Sequence, residues 1–129
     1  NPQKALDPAN CDACWADQWE RFMQGVDWSG LDDIMMTGWH RKLHIFQVPF
    51  YYIEYGLAQL GAAQVWANAL KDQAGAVRSY RKALSLGYTA TLPELYRTAG
   101  ARLSFDAETL GQAVSLMENT INNLRTRIQ

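Results

Sequence analysis

Apolar residues recur in this chain at helical spacing almost from end to end, and no stretch alternates apolar and polar residues as a half-buried strand would. That periodicity constrains the fold more than any other feature. Cys11, Trp15, Trp19, Phe22 and Met23 form one stripe. Asp7-Pro8 reads as its start, because Asp caps well and Pro suits the first turn. Gly25 reads as its stop. Ser29 to Asp32 reads as a second start, with Asp32 at the capping-box position, and Ile34, Met35 and Met36 continue it up to Gly38. Pro49 opens the most apolar segment, Phe50 to about Ala69, which is apolar nearly all round and is expected to be a buried helix. Glu54, Gln59, Gln64 and Asn68 interrupt it. A further amphipathic helix runs through Val77, Tyr80, Leu84 and Leu86 and ends at Gly87. Thr91 with Glu94 forms another capping-box pattern, closed by Gly100. The last helix starts around Ser104 or Asp106 and carries Leu110, Val114, Met117, Ile121 and Leu124 on one face. The expectation is an all-α fold of five or six helices packed as a bundle, with residues 1–129 as one unit.

Composition supports a packed core. The chain is 48% hydrophobic and 19% charged, too apolar for disorder. Its 12 Lys+Arg and 13 Asp+Glu leave a net charge of −1, so no electrostatic footprint for nucleic acid or an anionic membrane is present. No apolar run reaches the ~18 residues a membrane span needs. No basic N-terminus leads into an apolar run, so no signal peptide is expected. The chain opens on Asn1 rather than Met, which suggests a piece of a longer protein. Two cysteines make no disulfide framework, and a cytoplasmic setting is expected.

Two histidines and a cluster of tyrosines in residues 40–61 offer chemistry. Cys11 and Cys14 with His40 and His44 superficially form a zinc set. However, 25 residues separate Cys14 from His40, against about 12–15 in the usual finger. His40 and His44 also sit four apart, as in a zincin helix, but Arg41 occupies the place of the general-base Glu. A cation there has the wrong charge and cannot take a proton. No metal ligands are therefore assigned in this chain.

On a helix starting near Pro49, Tyr51 and Tyr55 would share a face, with Tyr52 about 100° around. His44 would fold back over its first turn. Phenol O–H and imidazole N–H are donors suited to a developing oxyanion. Phe50, Leu57, Leu60 and Val65 fit an ordinary aromatic core equally, so the residues alone leave both readings open. Gly56, Ala58, Gly61, Ala62 and Ala63 suggest a neighbour packed very close, because Gly inside a helix costs about 1 kcal/mol against Ala.

The stretch from Leu43 to Trp66, with its flanks "DWSGLDDIMMTGWHRKLHIF" and "LSLGYTATLPELYRTAGARLSFD", resembles the C-terminal catalytic region of oligoendopeptidase F-like zinc metallopeptidases, relatives of thimet oligopeptidase. The opening "NPQKALDP" is similar to the stretch after that family's metal-binding helices, so the resemblance spans essentially the whole chain. It implies an all-helical peptidase that cuts short peptides, with zinc held by an HExxH helix and a downstream Glu. It implies His44, Tyr51 and Tyr55 as catalytic donors over the substrate carbonyl, and Tyr52 with the Phe46–Pro49 backbone as substrate contacts. The implied partner is an oligopeptide. This chain has no HExxH, and its only histidines are His40 and His44. Zinc is therefore expected in the full-length family enzyme and not here, and the chain alone is expected to be inactive. The alternatives are a non-catalytic helical binding module or a remnant that pairs with itself through exposed apolar surface. "AGAVRSYRKALSLGYT" resembles a tetratricopeptide helix, but no copy recurs about 34 residues away.

Overall fold

A computed structural model describes residues 1–128. Among them it contains seven α-helices, three short 3-10 turns and no strand. The all-α expectation holds. The helix count exceeds five or six because residues 31–47 form two five-residue helices. The chain divides into two compact units, Asn1–Tyr51 and Tyr52–Gln129. No helix among the described residues is long and apolar enough to cross a membrane.

The first unit is organised by α1 (Pro8–Phe22). The Asp7 side chain caps it, accepting from the Ala9 N–H at 3.0 Å, with Pro8 in the first turn as expected. Its indoles stack, Trp15 on Trp19 at 5.5 Å, and Trp28 meets Trp19 edge-on at 5.9 Å. Gly38 is buried against Trp15, where a Cβ would lie 3.0 Å from the indole nitrogen. α2 is Asp32–Met36 and α3 is Leu43–Gln47. The capping box expected at Ser29 does not form. Asp27 takes both the Ser29 N–H at 2.9 Å and its hydroxyl at 2.6 Å, and these bonds hold the Asp27 carboxyl below its ordinary pKa. Gly30 then turns the chain at φ +76°. Helix α2 starts with no side-chain cap.

The second unit is built on α4 (Ile53–Lys71). One residue, Asp72, separates it from α5 (Gln73–Leu86), and its carboxylate caps α5 by accepting from the Gly75 N–H at 3.0 Å. α6 (Leu92–Thr98) and α7 (Ala107–Ile128) complete the unit, with α5 on α4, α6 on α5 and α7 on α4. The Thr91 cap is present: both its N–H and its hydroxyl donate to Glu94, at 2.9 and 2.8 Å, and these bonds lower the Glu94 pKa. Gly87 and Gly100 take positive φ at the helix ends the sequence assigned to them.

Two expectations about α4 change, and α7 shows a face the sequence left unassigned. α4 starts at Ile53, not near Pro49, because Phe50 adopts φ +65° and residues 49–52 form turns. It is not a buried helix, since Gly61 is its only fully buried residue. The apolar stripe of α7 faces out, and the helix instead buries Thr109 and Ala113. Among the described residues no large side chain is fully buried, and the buried hydrophobic residues are Ala76, Ala83, Ala99 and Ala113.

The small residues of α4 have a partial explanation. The Tyr96 hydroxyl donates to the Leu57 carbonyl at 2.9 Å, and a Cβ on Gly61 would lie 2.9 Å from the Tyr96 ring. Burial raises the Tyr96 pKa. Gly56 has nothing nearby and no such explanation. The polar interruptions also have a purpose. Gln64 clamps the Arg102 backbone from both sides, donating to its carbonyl at 2.9 Å and accepting from its N–H at 2.8 Å. Asn68 donates to the Gly100 carbonyl at 2.8 Å. An extended segment that would otherwise lack partners is thereby held on the helix.

Candidate functional site

The segment 40–47 is two elements, not one helix. His40 lies in the 3-10 turn Gly38–Arg41 and His44 in α3, with Lys42 at ψ 81° between them. The four-residue spacing of the histidines therefore puts them on no common helical face. His40 lies beside Trp39, ring centroids 4.3 Å apart, and its Nε2 is 3.8 Å from the Asp12 carboxylate. Asp12 is already engaged, accepting from the Trp39 indole N–H at 2.7 Å. Cys11 directs its thiol at the Ala5 carbonyl, 3.6 Å away. No three His, Cys, Asp or Glu side chains among the described residues gather in a way that could hold a metal ion. The donor set does not fit zinc, so no step is routed through a metal here.

His44 meets Tyr51 ahead of α4, and not the first turn of that helix as the sequence suggests. Its ring stacks on Tyr51 with centroids 4.8 Å apart and planes 22° from parallel. Pro49 explains why α3 stops in time for this contact: the residue before a proline is pushed out of the helical region, and Val48 sits at φ −138°, ψ 75°. The Tyr51 N–H then donates to the Val48 carbonyl at 3.1 Å, closing the turn. Phe46 packs toward the other side of α3, its ring 5.8 Å from Trp39.

Tyr51 and Tyr55 are not an i, i+4 pair on one helix, because Tyr51 precedes the helix. Tyr55 instead pairs with Tyr52, ring centroids 5.9 Å apart. One ring pair, His44 with Tyr51, belongs to the first unit, and another, Tyr52 with Tyr55, belongs to the second. Phe46, Tyr52 and Tyr55 are about half exposed, and Pro49 is also exposed.

Sequence reasoning missed Phe50. It is 92% exposed at φ +65°, and a bulky residue in the left-handed region costs of order 1–3 kcal/mol. Strain of this kind concentrates where substrates are gripped. The only signal was Pro49 itself, which marks a break without giving the hand of the turn.

The described residues are all-helical, with a half-buried imidazole stacked on a phenol beside a strained turn. A model of Peptidase family M3 matches residues 1–114. The chain belongs to that family, and a metallopeptidase-related function follows. No curated protein and no solved structure matches it.

Proposed function

We propose that this chain is a C-terminal part of a zinc metalloendopeptidase of the oligoendopeptidase type, and that it supplies the groups that receive and polarise a short peptide. The observation that carries this reading is the family match over residues 1–114, which contains the whole of the 44–55 stretch. The ring pairs add support. When a nucleophile adds to the scissile carbonyl, negative charge moves onto its oxygen. Preorganised N–H and O–H donors stabilise that charge more than they stabilise the neutral carbonyl. His44, Tyr51 and Tyr55 are the donors, and none of them gives up its proton. Stacking of His44 on Tyr51 restricts both rings, which lowers the reorganisation needed when charge develops. Tyr52, Phe46 and the backbone at Pro49 contact the peptide.

The sequence has no HExxH, and on this reading the chain by itself does not hydrolyse peptides. Zinc and the general base belong to the complete peptidase, and cytoplasmic oligopeptides are its substrates. The experiment is Tyr55→Phe in a peptidase that contains this stretch. Turnover should fall about 100-fold, the usual effect of removing one oxyanion donor. Turnover near that of the parent would contradict the role.

A second reading has its own support. Val77, Tyr80 and Leu84 of α5 are each about half exposed or more. An apolar groove of about 560 Å³ opens between α4, α5 and α6, lined by Val65, Trp66, Leu84, Leu92 and Leu95 among others. On this reading the unit is a non-catalytic helical module that binds another protein.

A further inference from the structure

Tyr96, on α6, reaches α4 near the start of that helix, within the second unit. Its hydroxyl donates to the Leu57 carbonyl at 2.9 Å. Leu57 and Gly61 lie one turn apart on the same face of α4, and the Tyr96 ring lies against that face. A Cβ on residue 61 would come 2.9 Å from the ring and 3.1 Å from the hydroxyl oxygen, closer than side chains pack. Gly61 is therefore the gap that lets the phenol reach the carbonyl. Burial raises the Tyr96 pKa, so this phenol keeps its donor proton above the ordinary tyrosine range.

Tyr55 precedes Leu57 by two residues, about 3 Å along the axis and about 200° around it. It stands on the far side of α4 from Tyr96, so any influence of one phenol on the other passes through the helix backbone. That backbone is weak by itself. The helix begins at Tyr52 without a side-chain cap, and Gly56 follows Tyr55 directly. An uncapped helix start that contains glycine depends on tertiary packing to stay formed. Gln64 and Asn68 hold the later turns of α4, and Tyr96 holds the turn next to Tyr55.

We infer that Tyr96 is a positioning residue for Tyr55, admitted to α4 by Gly61. The inference rests on the oxyanion role proposed for Tyr55, because a donor stabilises developing charge best when it is in place before the charge appears. Tyr96 touches no substrate. It fixes the helical turn from which Tyr55 projects.

The test is steady-state kinetics of Tyr96→Phe, Tyr55→Phe and the double variant in a peptidase that contains this stretch. Tyr96→Phe keeps the ring and removes the one hydroxyl. It should lower kcat about tenfold with KM unchanged, since the loss is felt only when charge develops. In the Tyr55→Phe background the same substitution should cause no further fall, because its effect runs through the Tyr55 phenol. Amide exchange across residues 55–61 should accelerate in Tyr96→Phe. Gly61→Ala should act in the same direction by displacing the ring. Gln64→Ala, which loosens a later turn of α4, should leave kcat unchanged. A parent-like kcat in Tyr96→Phe beside a large loss in Tyr55→Phe, or a further fall in the double variant, would overturn the inference and leave the Tyr55 role standing. A parent-like kcat in Tyr55→Phe would overturn the Tyr55 role and the inference with it.

Discussion

The α6–α7 junction and the turn at residues 44–55 handle unusual backbone in opposite ways. Around the junction, exposed polar side chains bond to backbone and to one another. Gln64 and Asn68 hold residues 100–102, Thr91 and Glu94 cap α6, and Asp106 gathers Ser104, Thr109 and Arg102. At the turn, His44 stacks on Tyr51, Tyr52 lies tilted against Tyr55, and Phe50 stands in the solvent at positive φ. The first region spends side chains on its own backbone. The second sets rings against one another and keeps a strained, exposed residue beside them. The difference separates side chains that bond to backbone from side chains that pair ring to ring.

Substitutions should therefore move stability in opposite directions in the two regions. Gln64→Ala removes both bonds to Arg102, and should cost about 1–3 kcal/mol in chemical denaturation. Amide exchange at Arg102 should accelerate with it. A change within error would mean the clamp is not structural. Phe50→Gly should raise stability by about 1 kcal/mol by relieving the positive φ, measured in the same denaturation series. A loss would show that the Phe50 side chain contributes to the fold.

The smallest effect is electrostatic. The Ser104 hydroxyl, the Thr109 backbone and side chain, and Arg102 together lower the Asp106 pKa to about 2. Because the folded value lies below the ordinary carboxylate value, this stabilisation is complete above about pH 4 and is lost as pH falls toward 2. Melting temperature between pH 5 and 2 should fall less steeply in Asp106→Asn than in the parent. Parallel curves would break the assignment.

Helix ends were legible in the sequence because caps are local: Asp7, Thr91 with Glu94, Gly87 and Gly100 each act within a few residues of themselves. The burial of each face was not. An apolar stripe such as Leu110 to Leu124 says that a face is apolar, not that the same chain covers it. Gln64 and Asn68 looked like interruptions because their partners lie 38 and 32 residues away. At the candidate site, His44 meets Tyr51 ahead of the helix and not the helix's first turn. The expected Tyr51–Tyr55 face does not form, because helical spacing was extended through a turn whose hand Pro49 does not encode.

The most direct test of the account combines the purified chain, added zinc and a set of short quenched-fluorescent peptides. No cleavage above buffer is expected at any zinc concentration, because the sequence contains no HExxH to hold the metal and supply the general base. Zinc-dependent cleavage abolished by a chelator would contradict it.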